Sequence, residues 1–440
     1  MLNDKQRAGA LMLGFLGFGA TGLYAGRLPT PTPVPMIAAA LALIALCLSA
    51  ESRKKPSLKY AAIIFVLFLP LAAYMHDAQA VCAALVRFWP VMVLLIAVSM
   101  FRQTVNRTGL ADAFCRHLLK DASPVGNTVR VSLASAVLTV LSGQGSIALI
   151  CSALSQRVGN RLAIATITNR ALGASMFVLP TTIASASVAS AIPHLDTAGV
   201  MRYGAPLMVF ALIGSMLPRL QPVPAVEGAR PAAAGGAYRL AALVLGSGAL
   251  VYWLTGQMTI AFAAAMGIGY ACDILFISKR RNPAAVSAEL TKNLDTIAPE
   301  LLLLAASGLL ILAVDGLHLP AHFPGVFAWL TGSALSTLLV LVVVLPLVTA
   351  AGIHPLILFG MLFPVLTPAL SGNTVVQYLA WSSMFVMANL MSPVSICAIV
   401  AATSLKQTPQ DTSYRSHWRF CAVLAVVVVV YLSGFMAWRA

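Results

Sequence analysis

The chain has 440 residues, of which 60% are hydrophobic and only 9% are charged, with a formal net charge of +15. A soluble domain carries about 25% charged residues, so this composition excludes a water-soluble globular protein and indicates a chain that lies in lipid. The seven cysteines show no CxxC or Cys/His spacing, so neither a disulfide framework nor a metal site is expected. Membrane orientation explains the positive charge better than a nucleic-acid partner, which is not expected.

Apolar runs bounded by charged residues, Gly or Pro predict eleven transmembrane helices. The first follows a short charged segment as a signal peptide does, but more apolar segments come at once, so we interpret it as a span. A helical crossing needs about 20 apolar residues. The predicted spans lie near 9–26, 34–50, 58–75, 80–101, 160–192, 200–218, 237–254, 257–277, 294–315, 373–404 and 416–437.

Two further apolar segments, 127–158 and 326–368, are interrupted midway by LSGQGS (141–146) and TAAGIHP (349–355). Each half is too short to cross about 30 Å of hydrocarbon at 1.5 Å per residue. Both segments are therefore predicted to be re-entrant hairpins whose tips lie at membrane depth. The predicted fold class is an all-α membrane protein.

The distribution of basic residues tests this topology. With the N-terminus in the cytoplasm, eleven crossings place most of the 28 Lys and Arg residues on the cytoplasmic side, as the positive-inside rule requires. The prediction is a multi-pass protein of the bacterial inner membrane, with a cytoplasmic N-terminus and a periplasmic C-terminus. A Pro/Ala/Gly-rich stretch near the middle is typical of a flexible cytoplasmic linker.

The two halves of the chain share motifs at an almost constant separation of about 208 residues, and SMFV at 175–178 recurs unchanged at 383–386. An odd number of crossings separates equivalent points, so the second copy is predicted to be inverted, as in many secondary transporters. Three further pairs support the offset: Pro90 with Pro299, Gly109–Leu110 with Gly316–Leu317, and GSIALI at 145–150 with GIHPLI at 352–357.

The predicted organisation has six parts, with each repeat containing one hairpin. In chain order they are scaffold helices 1–79, repeat 1 at 80–217 with hairpin 127–158, the linker 218–236, scaffold helices 237–293, repeat 2 at 294–405 with hairpin 326–368, and a C-terminal helix at 406–440.

Four segments carry a family resemblance: LSGQGSIALI (141–150), ALGASMFVLPTTIAS (171–185), VTAAGIHPLI (348–357) and MANLMSPVSI (387–396). Their order resembles the ion transporter superfamily, which includes divalent-anion/sodium symporters and gluconate and citrate permeases. The resemblance implies scaffold helices, a hairpin and a discontinuous helix, twice over with inverted topology. It also implies elevator-like transport of a carboxylate, with Na⁺ or H⁺ as the coupling ion, no other cofactor, and a homodimer as one option.

Polar and small residues cluster at the four interruptions, where helix N-termini attract anions and freed carbonyls and hydroxyls can coordinate a small cation. We predict that these interruptions converge on a solute-binding site in the lipid bilayer. The candidates are Ser142, Gly143, Gln144, Gly145 and Ser146 at the first tip, Thr181, Thr182 and Ser185 at the first break, Thr349, Gly352 and His354 at the second tip, and Asn389, Ser392 and Ser395 at the second break.

Arg170 is the one basic residue that the topology places inside the membrane. A charge there is costly unless it is paired or wet. Three interpretations stay open: a counter-charge for a carboxylate substrate, a fixed cation that replaces a coupling ion, or an arginine that snorkels to the cytoplasmic surface. His354 either carries a proton or is a neutral, hydrogen-bonded turn residue.

These features predict a secondary active transporter of a small organic anion, coupled to protons or sodium. Carboxylates are scarce near the core, which disfavours the alternative of a cation/proton antiporter on the same fold, because that activity would need Asp273 or Asp315 to project into the core. A third alternative is a membrane enzyme that acts on a lipid-linked substrate. No nucleophile–base pair or paired carboxylates support it, so the protein is not expected to be an enzyme.

Overall fold

A computed structural model describes most of the chain from Pro56 onward. The residues it describes are 56–108, 124–143, 146–147, 150–151, 154, 161–216, 235–255, 258–277, 283–370 and 372–439. The predicted spans 9–26 and 34–50 and most of the predicted linker lie outside this set. All the regular structure in the described residues is helical.

The helices of the first half are interrupted by short breaks, and a turn followed by irregular backbone at residues 176–182 separates α5 from α6. Their bounds are α1 Pro56–Met75, α2 Ala78–Leu85, α3 Trp89–Arg107, α4 Pro124–Ser142, α5 Arg161–Ser175, α6 Ile183–Ala191 and α7 Thr197–Met216.

The second half contains helices of 4 to 34 residues and two π-helical turns, Asp273–Ile277 and Val340–Val344. A 3₁₀ turn, Thr367–Ala369, follows α15. The helices are α8 Gly235–Thr255, α9 Met258–Cys272, α10 Pro283–Gly316, α11 Leu319–His322, α12 Pro324–Thr331, α13 Ala334–Leu339, α14 Leu345–Ala350, α15 Pro355–Leu366, α16 Thr374–Met391, α17 Ile396–Leu405 and α18 Tyr414–Arg439.

Seven helical segments of the described chain are long and apolar enough to cross a bilayer. Helix α12 and residues 334–350, which are bent by 90° relative to each other, add an eighth if the pair is one broken span rather than a re-entrant loop. The protein is therefore a multi-pass helical membrane protein. The eleven crossings, the inverted repeat and the membrane depth of the tips stay predictions. The seven segments are Leu58–Met75, Ala78–Val105, Thr197–Met216, Met258–Leu275, Ile297–Gly316, Thr374–Leu405 and Tyr414–Trp438.

The centre of the second half is formed by α16 and by residues 297–316 of α10, which are largely apolar and mostly buried. Such helices bury in a bundle because no face of them suits water. Helix α10 packs against α1, α2, α3 and α15, whereas α16 packs against α5, α6, α7, α14 and α18. The two elements that carry the interruptions of the first half, α4 and α5, pack on each other and on α7.

The buried carboxylate of Asp273 lies at the start of the first π turn, where Arg107 forms an ion pair with it. Thr104 donates a hydrogen bond to the same carboxylate over 2.9 Å. Asp273 therefore joins α9 to α3, and its charge is already balanced by a guanidinium. Asp315, by contrast, is exposed near the end of α10.

Replacing Arg107 by leucine should lower the free energy of unfolding by about 3–5 kcal/mol, because a buried carboxylate would lose its counter-charge. The Arg107→Leu/Asp273→Leu double variant should be more stable than the single variant, since neither charge then remains. Thermal unfolding in detergent measures both. A single variant as stable as the unaltered protein would contradict this assignment of the pair.

Candidate functional site

The first tip begins where α4 ends. Gly143 has φ +52°, a left-handed conformation that favours glycine. Its N–H donates to the Thr139 carbonyl over 2.8 Å, which closes the last helical turn. A Cβ atom at Gly143 would lie 2.9 Å from the carbonyl oxygen of Thr181. The first tip therefore packs directly, backbone on backbone, against the first break.

The first break separates α5 from α6 at residues 176–182. Thr182 caps α6, and its hydroxyl and that of Ser185 form a reciprocal capping box. Next to it, the hydroxyl of Thr181 is buried and has no hydrogen-bond partner among the described residues. Thr182 and Ser185 therefore stabilise the start of α6, whereas the hydroxyl of Thr181 is available to bind a further group.

The second tip lies between α14 and α15. Gly352 has φ +104°, and a Cβ there would meet nothing within 4 Å. His354 caps α15, because its Nδ1 accepts a hydrogen bond from the N–H of Leu356 over 3.2 Å. That geometry requires an unprotonated Nδ1, so it favours the neutral turn residue over the proton carrier. Tyr60 of α1 donates to the Gly352 carbonyl over 3.1 Å.

The second break separates α16 from α17 at residues 392–395. Ser395 caps α17 by accepting from the N–H of Ala398 over 3.2 Å, and its own hydroxyl donates to the Asn389 carbonyl. The hydroxyl of Ser392 and the Nδ2 of Asn389 are buried and unpartnered among the described residues. As at the first break, the hydroxyl of the capping residue is hydrogen-bonded, whereas polar atoms of nearby residues have no partner among the described residues.

Each tip lies against the break of its own half. Thr349 of the second tip donates to the Pro346 carbonyl over 2.8 Å and lies 3.5 Å from the carbonyl of Ala388, one turn before the second break. The contact of Thr349 with Ala388 thus corresponds to that of Gly143 with Thr181.

The remaining candidates of the first tip are only partly described. Ser146 is buried and its hydroxyl lies 3.1 Å from that of Thr139. Ser142 is the last residue of α4, and Gln144 and Gly145 lie outside the described residues.

The two halves meet where the hydroxyl of Tyr378 on α16 donates to the Met176 carbonyl in the first break over 2.9 Å. Ser175 ends α5, but its counterpart in the repeat, Ser383, lies inside α16, which continues to Met391. The second break thus begins about two helical turns later than the repeat predicts. Tyr378, which contacts the first break, lies 13 residues before Met391, the last residue of α16 before the second break.

Arg170 is buried within the protein at 1% exposure and does not snorkel to the surface. Its Nη2 donates to the Ser416 carbonyl over 2.7 Å, and its Nε donates to His417 Nδ1 over 3.3 Å. The guanidinium also lies 4.7 Å from the ring centroid of Phe420. Nη1 is buried without a hydrogen-bond partner, and Arg170 has no ion-pair partner among the described residues.

Sequence reasoning missed Tyr60, Tyr378 and His417. Tyr378 could have been found, because it lies 208 residues after Arg170, at the offset of the two SMFV motifs. The two positions are thus equivalent in the predicted repeat. Each carries a polar side chain on a helix that ends at a break, and each side chain hydrogen-bonds to a residue of the other half of the chain. Tyr60 and His417 follow no such pattern, and only the packing reveals them.

The similarity to known proteins lies in the fold. Neither a protein-family model nor a curated protein matches the sequence. Among solved structures, the fold is similar to the crystal structure of the Alcanivorax borkumensis YdaH transporter, with a TM-score of 0.58 and 15% identity over 87% of this chain and 98% of that chain. At this identity the likeness shows the fold alone. The chain is therefore a multi-pass membrane protein with the fold of a helical membrane transporter.

Proposed function

We propose that the protein is a secondary active transporter of a small organic anion, coupled to protons or sodium. Three buried polar atoms at the two breaks carry the proposal: the hydroxyls of Thr181 and Ser392 and the Nδ2 of Asn389, none of which has a partner among the described residues. An unsatisfied buried donor or acceptor costs about 1–3 kcal/mol. Their position beside helix breaks, where polar backbone is also concentrated, supports a role in contacting a solute.

The charges near the breaks favour an anion. Arg170 is a buried cation whose Nη1 has no hydrogen-bond partner among the described residues. It lies one helical turn before Gly173, where an added Cβ would lie 3.0 Å from Val386 and 4.0 Å from Leu390, shortly before the second break. The starts of α6, α15 and α17 add the positive ends of helix dipoles. The rival function, cation/proton antiport, would require a carboxylate that exchanges protons. Asp273 is paired with Arg107, and Asp315 is exposed, so neither supports it.

An elevator-like movement of the hairpins against the scaffold is the proposed mechanism. In this scheme α1 belongs to the scaffold and the second tip to the moving part. The hydrogen bond from Tyr60 to Gly352 joins the two. One hydrogen bond contributes about 1 kcal/mol, so this contact can form in one state and break in another without trapping the protein.

Uptake into liposomes by the purified protein tests the proposed function. A panel of mono- and dicarboxylates is presented under separate sodium and proton gradients, with monovalent cations as the alternative substrates. We expect gradient-driven accumulation of at least one organic anion. Accumulation of cations alone, with proton counterflow, would replace this function with antiport.

Removing the hydroxyls at the breaks should impair transport without destabilising the protein. Thr181→Val and Ser392→Ala should each raise the KM for the anion about tenfold, since each removes one hydrogen bond to a charged solute. The melting temperature should stay the same or rise, because neither hydroxyl has a hydrogen-bond partner among the described residues. Initial uptake rates and thermal unfolding provide the two measurements.

Ser383 provides the matched control for Ser392. It lies on the same helix and is equally buried, but its hydroxyl donates to the Leu379 carbonyl over 2.7 Å. Ser383→Ala should leave the KM unchanged. If Ser383→Ala and Ser392→Ala raise the KM equally, the breaks have no special part in solute binding.

A further inference from the structure

An apolar groove of about 440 Å³ runs along the surface of the protein between α18 and the hairpin arm that contains α13 and α14. One wall is formed by residues 339–347 and the other by residues 418–430. Met391 and Cys421 form its buried floor, whereas Leu347 and Val430 on its rims are 58% and 67% exposed. The groove is open to the membrane and offers almost no polar atoms to a ligand.

The length and depth of the groove match one leaflet of a bilayer. Trp418 and Trp438 are exposed near the two ends of α18. They are 20 residues apart, about 30 Å along a helix, which is the thickness of the hydrocarbon core. Exposed tryptophans at that spacing are typical of the two membrane–water interfaces. From Trp418, the α18 wall extends to Val430, about 18 Å, or slightly more than one leaflet.

Basic residues continue the same face of α18 towards the interface. Arg415 and Arg419 precede groove residues Ala422 and Val426 at helical spacings of three, four and seven residues. Arg415 is bonded to Asp411 over 2.9 Å, so its charge is partly neutralised. Arg419 is exposed, and its guanidinium lies 5.1 Å from the ring centroid of Trp418. The mouth of the apolar groove therefore carries a net positive charge at the level of lipid headgroups.

We propose that this groove binds one anionic phospholipid of the leaflet in which α18 begins. An acyl chain occupies the space between residues 339–347 and 418–430, and the phosphate lies against Arg419, with Arg415 behind it. The leaflet-length apolar walls, the interfacial Trp418 and the basic mouth together fit this amphiphile. They fit a second copy of the chain less well, because its surface would have to place an anionic group against the arginines.

The proposed lipid would contact the back of the second break. Met391, on the floor of the groove, directly precedes Ser392, and Pro346 on the wall accepts the hydrogen bond of Thr349 in the second tip. An acyl chain in the groove thus supports the wall that separates the second tip and break from bulk lipid. The binding itself does not depend on the transport function proposed above.

Quenching of Trp418 fluorescence by brominated lipid tests the site. The purified protein is titrated in nanodiscs with brominated phosphatidylglycerol or brominated phosphatidylcholine. The Trp418 signal is the difference in fluorescence between the unaltered protein and Trp418→Phe, expressed as a ratio to its value without brominated lipid. Half-maximal quenching should need about fivefold less phosphatidylglycerol than phosphatidylcholine, because one arginine near the membrane surface contributes about 1 kcal/mol. Arg419→Gln should abolish that preference.

Two variants on α18 locate the ligand. Ala422→Phe should fill the groove and reduce quenching by either lipid, whereas Val423→Phe, at an adjacent exposed position outside the groove, should not. The proposal would be overturned if both lipids quench equally and neither Arg419→Gln nor Ala422→Phe changes the quenching, because Trp418 would then contact bulk lipid only. The proposal would also be overturned if neither lipid quenches Trp418 and Val426→Cys cross-links between two copies. That result would make the groove a dimer interface.

Discussion

Gly143→Ala should reduce anion uptake more than about tenfold while the protein still inserts in the membrane. Two effects combine at this residue. A left-handed backbone costs a non-glycine residue about 1–2 kcal/mol, and the new Cβ would lie 2.9 Å from the Thr181 carbonyl oxygen. Because the atom it meets is backbone, no side-chain rotation relieves the contact, and the tip must move away from the break.

Two other glycines separate the causes of this effect. Gly352→Ala introduces a similar backbone cost, but its Cβ would meet nothing within 4 Å, so its uptake should fall less. Gly246→Ala, on α8, has no contact within 4 Å and no positive φ, and it should transport normally. Uptake at matched protein density in liposomes ranks the three. Normal uptake by Gly143→Ala would contradict the packing of the first tip on Thr181.

Arg170→Ala should reduce transport about 100-fold, mainly through KM, because a buried charge-assisted hydrogen bond to the anion is lost. Arg170→Lys should retain part of the activity, since it keeps the charge but not the planar guanidinium. Both variants should also lower the melting temperature, because Arg170 bonds the Ser416 carbonyl of α18. Initial rates at varied substrate, with unfolding measured in parallel, separate the two effects.

Asn169 provides the matched control for Arg170. It adjoins Arg170 on α5, and its Nδ2 donates to the Thr412 carbonyl over 3.4 Å, so it also holds α5 to the segment before α18. It carries no charge. Asn169→Ala should reduce stability slightly and leave KM unchanged. If the two alanine variants lose activity in proportion to lost stability, Arg170 is a structural anchor and not a counter-charge.

Much of the fold was predictable because interruptions in a membrane helix have strong local signals. Glycine, serine and threonine inside apolar runs indicated breaks near Gly143, Thr181, Gly352 and Ser392, and the helices end close to these residues. Gly143, one of the candidates at the first tip, has a positive φ.

The candidate site was predicted less well, because hydroxyl groups have several uses that the sequence does not distinguish. Thr182, His354 and Ser395 cap helices in the structure, so their polar atoms are already bonded to backbone N–H groups. Thr181 and Ser392 lie within three residues of two of these caps, and their hydroxyls have no partner in the part of the chain that the structure describes. The environment of Arg170 could not be predicted from the sequence either, since its partners on α18 lie about 250 residues away in the chain.

Substrate protection of single cysteines at the two breaks tests most directly whether both contact the transported solute. Thr181→Cys and Ser392→Cys are introduced separately into a variant that lacks the seven native cysteines, and the rate of labelling by a small charged thiol reagent is measured with and without the transported anion. We predict that both cysteines react and that the same anion slows both reactions at concentrations near its KM. Labelling that the anion leaves unchanged at both positions, in protein that still transports it, would contradict the proposed site.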